Sequence, residues 1–506
     1  MLKELWSFRD RYKILHMTWF AFFLSFVVWF NFAPFATAIQ EDLGLAPEQI
    51  KTIAICNVAL TVPARIIIGM LLDRFGPKLT YSLLLMYAAI PCLAFAAAQN
   101  FSQLVISRLA LSIVGAGFVI GIRMVAEWFP PKEIGLAEGI YGGWGNFGSA
   151  AAAFTLPSIA LFLTFGSGNL LNWRMAIALT GIVAAVYGAL YYFSVEDTPP
   201  GKVYQRPNRQ GGLEVTTVKD FWFLMLMNVP LVGILAVLAW RLAKIGFFDT
   251  TGLTITLLAL LGLYLFQAYK CWDVNKDLLM GKKRYPPEDR YKFSQVAMLE
   301  LTYLVNFGSE LAVVSMLPAF FELTFGLSKP AAGMIAASYA FMNLMSRPGG
   351  GLISDTLGSR KWTMTVLTGC MGIGYLLMGT VTGGWWLPGA VLLTMACSFF
   401  VQAGEGSTFA IVPLIKRRVT GQVAGNVGAY GNVGAVAYLT IYSLLPEGDV
   451  GNRVFFQVLG ITALIITFLC WFFLKEPKNS FAEHHEGDEP ELPVPPVPTL
   501  ADEQTY

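Results

Sequence analysis

Apolar stretches of about 20 residues or more recur along almost the whole 506-residue chain, and this leaves few folds open. A bilayer core takes about 20 helical residues to cross, and only helices or closed barrels satisfy their own backbone there. The chain is 55% hydrophobic and 13% charged, against about 25% charged in soluble domains. It reads as an all-α integral membrane protein. Spans are expected near 15–39, 49–72, 79–98, 101–128, 134–163 and 174–195. After a polar stretch come two further apolar runs, Phe221–Leu242 and Leu253–Tyr269, and a basic loop, Lys270 to Lys292. A second set is expected near 295–322, 330–354, 362–382, 386–414, 421–445 and 453–474. The run from Leu15 to Ile39 is too long for a cleavable signal and lacks a small-residue cleavage site, so it reads as the first span.

Two copies of one short pattern sit 282 residues apart: Arg65-x3-Gly69-x3-Asp73-x2-Gly76-x-Lys78 and Arg347-x3-Gly351-x3-Asp355-x2-Gly358-x-Arg360. Gly44-Leu45 returns as Gly326-Leu327 at the same offset. Gly135-x3-Gly139 returns as Gly421-x3-Gly425, and Gly145-Asn146-Phe147-Gly148 as Gly431-Asn432-Val433-Gly434, both at an offset of 286. Near-constant offsets imply two six-helix halves related by a parallel repeat, expected over residues 1–198 and 295–476. Residues 199–294 are then a central loop with an inserted apolar helix pair, and the acidic, proline-rich residues 477–506 a disordered tail. Each arginine lies eight residues before its aspartate, about 12 Å along a helix. With the aspartate at the membrane surface, the arginine sits near the midplane of a ~30 Å core. A charge there costs at least ~2.5–3.5 kcal/mol. Two such arginines at equivalent points of a duplicated chain indicate a site for a small anion.

With the N-terminus inside, 25 of the 35 Lys and Arg fall in inner segments and six in outer ones, while Arg65, Arg108, Arg123 and Arg347 fall within spans. Both termini are therefore expected on the cytoplasmic side of the cell membrane. The six cysteines are scattered and read as small buried hydrophobes; of three histidines, His484 and His485 lie in the tail. No metal site and no cofactor is expected. There is no phosphate-binding loop and no nucleophile–base pair, so an enzyme is not expected. The expected partners are the bilayer and small ions, without nucleic acid, and the expected state is a monomer.

The stretch Gly69-Met-Leu-Leu-Asp73-Arg74-Phe-Gly76-Pro-Lys78 resembles the signature loop between the second and third helices of the major facilitator superfamily, and its second copy holds the same place in the other half. In that family the loop latches neighbouring helices as the transporter rocks, which implies gating roles for Asp73, Arg74, Asp355 and Arg360. Gly142-Gly-Trp-Gly145-Asn146-Phe-Gly148 and Gly425-Asn-Val-Gly428-Ala-Tyr-Gly431-Asn432-Val-Gly434 resemble the paired signature helices of its nitrate/nitrite porter family, which includes permeases of marine cyanobacteria. Small residues at spacings of three and four let helix backbones approach closely. The resemblance implies that Arg65 and Arg347 clamp the anion, that Phe118, Tyr303 and Phe307 sandwich it, and that Asn146 completes the site. The inserted apolar pair and Asn432 depart from the simplest family pattern.

The residue types suit nitrate and nitrite, both small monoanions. Guanidinium is planar, always charged and carries parallel N–H donors, and aromatic walls match a flat ion. Glu127, Glu138, Glu310 and Glu405 could instead neutralise the arginines. Glu310 and Glu405 lie in apolar spans and are the candidates for carrying protons, Glu310 first, because it is three residues past Phe307 on one helix face. Glu138 lies at a helix start, where the dipole favours its carboxylate. Proton symport and nitrate/nitrite exchange both remain open. So do a facilitator for formate- or oxalate-like anions and a membrane sensor that binds without transport.

Overall fold

A computed structural model of the chain describes residues 4–163, 172–207, 211–244, 246–286, 289–446 and 448–477. The tail from residue 478 lies outside the described residues. Within them the regular structure is helical.

The first repeat runs α1 (Asp10–Trp29), α2 (Ala36–Leu43), α3 (Pro47–Ala59), α4 (Thr61–Phe75), α5 (Pro77–Ala97), α6 (Phe101–Ser112), α7 (Gly117–Trp128), α8 (Ile134–Phe162) and α9 (Trp173–Ser194). Two further helices follow, α10 (Val218–Lys244) and α11 (Thr250–Leu279). The second repeat runs α12 (Phe293–Phe325), α13 (Lys329–Phe341), α14 (Asn343–Thr356), α15 (Arg360–Met378), α16 (Leu387–Phe409), α17 (Val412–Ile415), α18 (Thr420–Leu444) and α19 (Asp449–Phe473). Ten segments among the described residues are long and apolar enough to cross a membrane. With the family match below, the chain is a multi-pass membrane protein.

Several expected spans are broken. The span expected at 49–72 divides into α3 and α4 at Leu60, and that at 330–354 into α13 and α14 at Met342. These breaks are themselves 282 residues apart, so the repeat includes them. Pro63 has no N–H to donate back to Ala59, which accounts for the first. The span expected at 101–128 divides at a 3₁₀ turn, Ile113–Ala116. The repeated Gly44 and Gly326 end α2 and α12 in left-handed conformation, φ 59° and 63°, which glycine adopts without Cβ strain.

The basic stretch from Lys270 does not begin as a loop. α11 continues through it to Leu279, because Cys271, Val274 and Asn275 share one buried face. Asn275 accepts from the Val215 amide at 2.9 Å and donates to the Leu213 carbonyl at 2.9 Å. Toward its other end α11 packs along α10 with Leu258, Leu261, Leu265 and Phe266 exposed. α10 in turn packs against α18, α12 and α3.

The packing that positions the site crosses between repeats. α4 lies along α18, and α14 lies along α8. In each pair the arginine motif of one repeat meets the glycine-rich helix of the other. A Cβ on Gly425 would lie 2.5 Å from the Arg65 carbonyl oxygen, and one on Gly139 would lie 2.6 Å from the Arg347 carbonyl oxygen. Only glycine allows these approaches.

Candidate functional site

The glycines of α18 and α8 meet the repeated motif in register. Gly425 and Gly139 face the arginine carbonyls. One turn on, a Cβ on Gly428 would lie 3.1 Å from Arg65 Cδ, and one on Gly142 would lie 3.0 Å from Arg347 Nη1. The arginine side chains thus extend across bare helix surface. Gly431 makes room for the rings of Tyr303 and Phe307, and Gly145 for Phe22. Gly434 and Gly148 receive the carbonyls of Leu304 and Phe23.

Both arginines are fully or almost fully buried, and both guanidinium groups face the same two phenyl rings. Arg65 Cζ lies 5.5 Å from the Phe118 centroid and 5.2 Å from that of Phe307; Arg347 Cζ lies 5.8 and 5.7 Å from the same centroids. Since both stand within 5.2 and 5.7 Å of the Phe307 centroid, the two carbons are no more than about 11 Å apart. Tyr303 stacks parallel to Phe118 at 6.0 Å and to Phe307 at 5.1 Å. With its amide oxygen turned to Arg347, Asn146 accepts from Nη2 at 2.8 Å and from Nη1 at 3.2 Å. Arg65, Arg347, Phe118, Asn146, Tyr303 and Phe307 therefore converge from α4, α14, α7, α8 and α12. Asn432, the repeat counterpart of Asn146, is fully buried with neither amide atom hydrogen-bonded.

The charges are arranged unequally. Arg65 donates through Nη1 to the Gly428 carbonyl and through Nε to the Gly115 carbonyl at 3.4 Å. Arg347 is paired through Nη2 with Glu405 and with Glu310, the latter at 3.6 Å. Glu310 Oε1 also accepts from Asn343 Nδ2 at 2.6 Å and from Gln402 Nε2 at 3.2 Å. Of the four acids considered as neutralisers, Glu127 is elsewhere, paired with Arg123 at 2.8 Å and Arg417 at 3.1 Å. Glu138 sits on α8 beside Gly139, buried, with neither carboxyl oxygen hydrogen-bonded. The leading amides of α8, those of Gly135 and Leu136, donate to Asp355 and not to Glu138.

The aspartates of the repeated motif sit at the starts of the glycine-rich helices of the opposite repeats. Asp73 accepts from the Gly421 and Gln422 amides at 3.0 and 2.9 Å, and Asp355 from the Gly135 and Leu136 amides at 3.1 and 2.7 Å. Each carboxylate supplies the N-terminal cap that α18 or α8 lacks within its own repeat. Arg360 binds Asp355 at 2.8 Å and the Pro131 carbonyl at 2.7 Å. Arg74 is different: its guanidinium lies 4.8 Å over Phe75, and its carbonyl accepts from Arg206 at 3.1 Å. The buried basic partner near Asp73 is Arg123, at 3.9 Å.

Sequence reasoning passed over Phe409, which meets Phe118 and Tyr303 edge-on at 4.6 and 4.8 Å. It lies four residues after Glu405, on the same face of α16, and that spacing was a usable signal. The roles of Asn343 and Gln402 carried no such signal.

The family model described as Major Facilitator Superfamily matches residues 18–271 and 299–501. The chain is 68% identical to the nitrate/nitrite transporter NrtP of Picosynechococcus sp. (strain ATCC 27264 / PCC 7002 / PR-6), with 100% of each chain covered. It is 59% identical to NrtP of Nostoc punctiforme, over 97% of this chain and 98% of that one. Among solved structures, the human organic anion transporter MFSD10 (TETRAN) matches with a TM-score of 0.60 at 14% identity, covering 91% of this chain and 100% of that one. The proton:xylose symporter XylE matches with a TM-score of 0.58 at 15% identity, covering 92% and 96%. These two are likenesses of fold. With the family matched across both repeats and a relative 68% identical from end to end, the chain belongs to the Major Facilitator Superfamily.

Proposed function

We propose that this chain is a secondary transporter, not an enzyme, that carries nitrate and nitrite into the cell by alternating access, coupled to protons. The observation that carries this reading is the pair of buried guanidinium groups, from equivalent points of the repeat, facing Phe118 and Phe307. A flat monoanion between them gains charge-assisted hydrogen bonds from both sides and stacks against aromatic walls. Relatives named nitrate/nitrite transporter, 68% and 59% identical, support it.

In this reading residues 1–198 and 295–476 are two six-helix units that rock about the central site, and α10 and α11 form a membrane hairpin beside them. Both termini face the cytoplasm, so the ends held by Asp73, Asp355 and Arg360 form the cytoplasmic gate, with Arg74 at its rim. The chain works as a monomer. Bringing an anion in against an inside-negative potential costs about 2.3 kcal/mol per 100 mV, and a proton carried by the Glu310–Glu405 carboxyl pair at Arg347 offsets that cost.

Uptake of labelled nitrate into proteoliposomes, with and without a pH gradient, tests the reading. Inhibition by nitrite but not by formate or oxalate is expected, and accumulation requires the gradient. Binding without uptake would make the chain a sensor; preferential uptake of formate or oxalate would change the substrate.

A further inference from the structure

The central site contains two guanidinium groups and two carboxyl groups, and their partners are not equivalent. Arg65 is held by carbonyl oxygens. Arg347 alone carries the acids, and Glu310 and Glu405 both address its Nη2. Glu310 is fixed by two further donors, Asn343 on α14 and Gln402 on α16. Glu405 has no hydrogen-bond donor besides the guanidinium, and its carboxyl stands against that of Glu310, with which it can share a proton. Both carboxyls are almost completely buried. Arg347 on α14 and Glu310 on α12 adjoin Glu405, and the helices packed against α16 also carry the buried Tyr303 on α12, Tyr339 on α13, Tyr375 on α15, and Glu138 and Tyr141 on α8, with Arg65 across the site on α4.

Two consequences follow from elementary electrostatics. With both carboxyls ionised the site is neutral, and the Nη2 donor that would bind an anion is already taken. A monoanion added to that site would stand uncompensated in a dry interior, where a charge is very costly. One proton on the carboxyl pair leaves a net single positive charge, which one nitrate balances. Two carboxylates on one nitrogen repel, so the first proton belongs to the pair. The anchored Glu310 keeps its place, and Glu405 is free to let go.

We propose that Glu405 is an internal counter-anion of Arg347, released by protonation, so that each nitrate binds together with one proton. This rests on the nitrate reading above and specifies its coupling. A proton from solution adds to a Glu405 carboxylate oxygen, the Arg347–Glu405 ion pair breaks, and Arg347 N–H groups bond to nitrate oxygens. On the other side of the membrane nitrate leaves, Glu405 gives up the proton and re-forms the pair. Glu310 positions Arg347 throughout.

The test uses the full chain in detergent or nanodiscs. Nitrate affinity is measured across roughly pH 5.5–8.5, and proton uptake on nitrate addition is read in weak buffer. The parent chain is expected to take up about one proton per nitrate, with affinity falling up to about tenfold per pH unit on the alkaline side. Glu405→Gln is expected to bind nitrate with a pH slope near zero and negligible proton uptake. Glu405→Asp restores the slope, because a titrating group is again present. A Glu405→Gln chain with the parent slope overturns the proposal, and so does a parent chain that binds nitrate without taking up protons. The second result stands even where the glutamine variant does not fold. A parent chain that binds no nitrate at any pH overturns the substrate reading itself.

Discussion

Gly425→Ala adds one methyl group at the place where α18 touches the backbone of α4. That carbon would stand 2.5 Å from the Arg65 carbonyl oxygen, 3.3 Å from its carbonyl carbon and 3.4 Å from Ile66 Cα. All three atoms are main chain, so no side chain can rotate out of the way. Contact at optimal separation lies at about 3.5 Å or more, so the two helices must separate by about 1 Å. Overpacking of this kind costs about 1–3 kcal/mol. The cost falls only on the state in which α4 and α18 are in contact, and it shifts the balance away from that state by about 5- to 150-fold. The nitrate uptake rate in proteoliposomes is expected to fall by at least about fivefold, with normal protein yield and a single helical unfolding transition. Gly333→Ala on α13 is the control: nothing lies within 4 Å of the added carbon, and uptake is expected to be unchanged. Uptake by Gly425→Ala within about twofold of the parent would show that this close approach is not part of the working cycle.

Arg65→Lys and Arg347→Lys should leave the protein folded and reduce nitrate uptake by more than about tenfold, since lysine keeps the charge but not the planar pair of donors; near-parental uptake by both would leave only a general positive field. Asp73→Asn and Asp355→Asn remove the charge that caps α18 and α8, worth about 1 kcal/mol each, and should raise labelling of cysteines placed beside Gly421 and Gly135; unchanged labelling would mean that the caps do not hold this end closed. A cysteine at Arg241, at the α10 end of the inserted pair, should react with an impermeant reagent from the outer face, and inner-face reaction would mean that the pair does not cross the membrane. Burial would raise the Asp289 carboxyl, but bonds from Arg418 and Lys416 outweigh it and leave the group below the usual carboxylate range. A lowered folded value stabilises above the unfolded value of about 3.9 and is lost below it, so the melting-temperature gap between parent and Asp289→Asn should be flat at neutral pH and close on acidification; a gap that widens in acid would contradict these bonds.

Much of the site could be read from the sequence because it is written twice. An offset of 282 residues carries Arg65 onto Arg347, Asp73 onto Asp355, and even the helix break at Leu60 onto the break at Met342. Glycine spacing marked the surfaces that must approach closely, and α18 and α8 present those glycines to α4 and α14. Where the halves diverge, the repeat gave no guidance. Both acids gather at Arg347 and none at Arg65, and Glu310 is held there by Asn343 and Gln402 on separate helices, which no spacing in the sequence announces. Glu138 looked like a dipole-stabilised carboxylate, but Asp355 from the other repeat occupies that position. α11 ran ten residues past its apolar stretch because Cys271, Val274 and Asn275 have something to pack against, which composition does not reveal.

The crossed docking of α4 on α18 and α14 on α8 has the form of an isologous interface, in which one self-complementary surface is used twice. A half-length ancestor with this surface would have paired with a second copy of itself, and joining two copies end to end would have required no new contact. The glycine and aspartate positions are therefore constrained twice over, since a change in one copy must suit a partner encoded elsewhere in the chain. Freedom to specialise lies where the two-fold relation is already broken, at the acids around Arg347 and at the asparagine that reaches it. Separately expressed halves should still find each other, while two copies of either half alone would build a symmetric pocket: two arginines each with a Glu310–Glu405 pair, or two arginines without that pair.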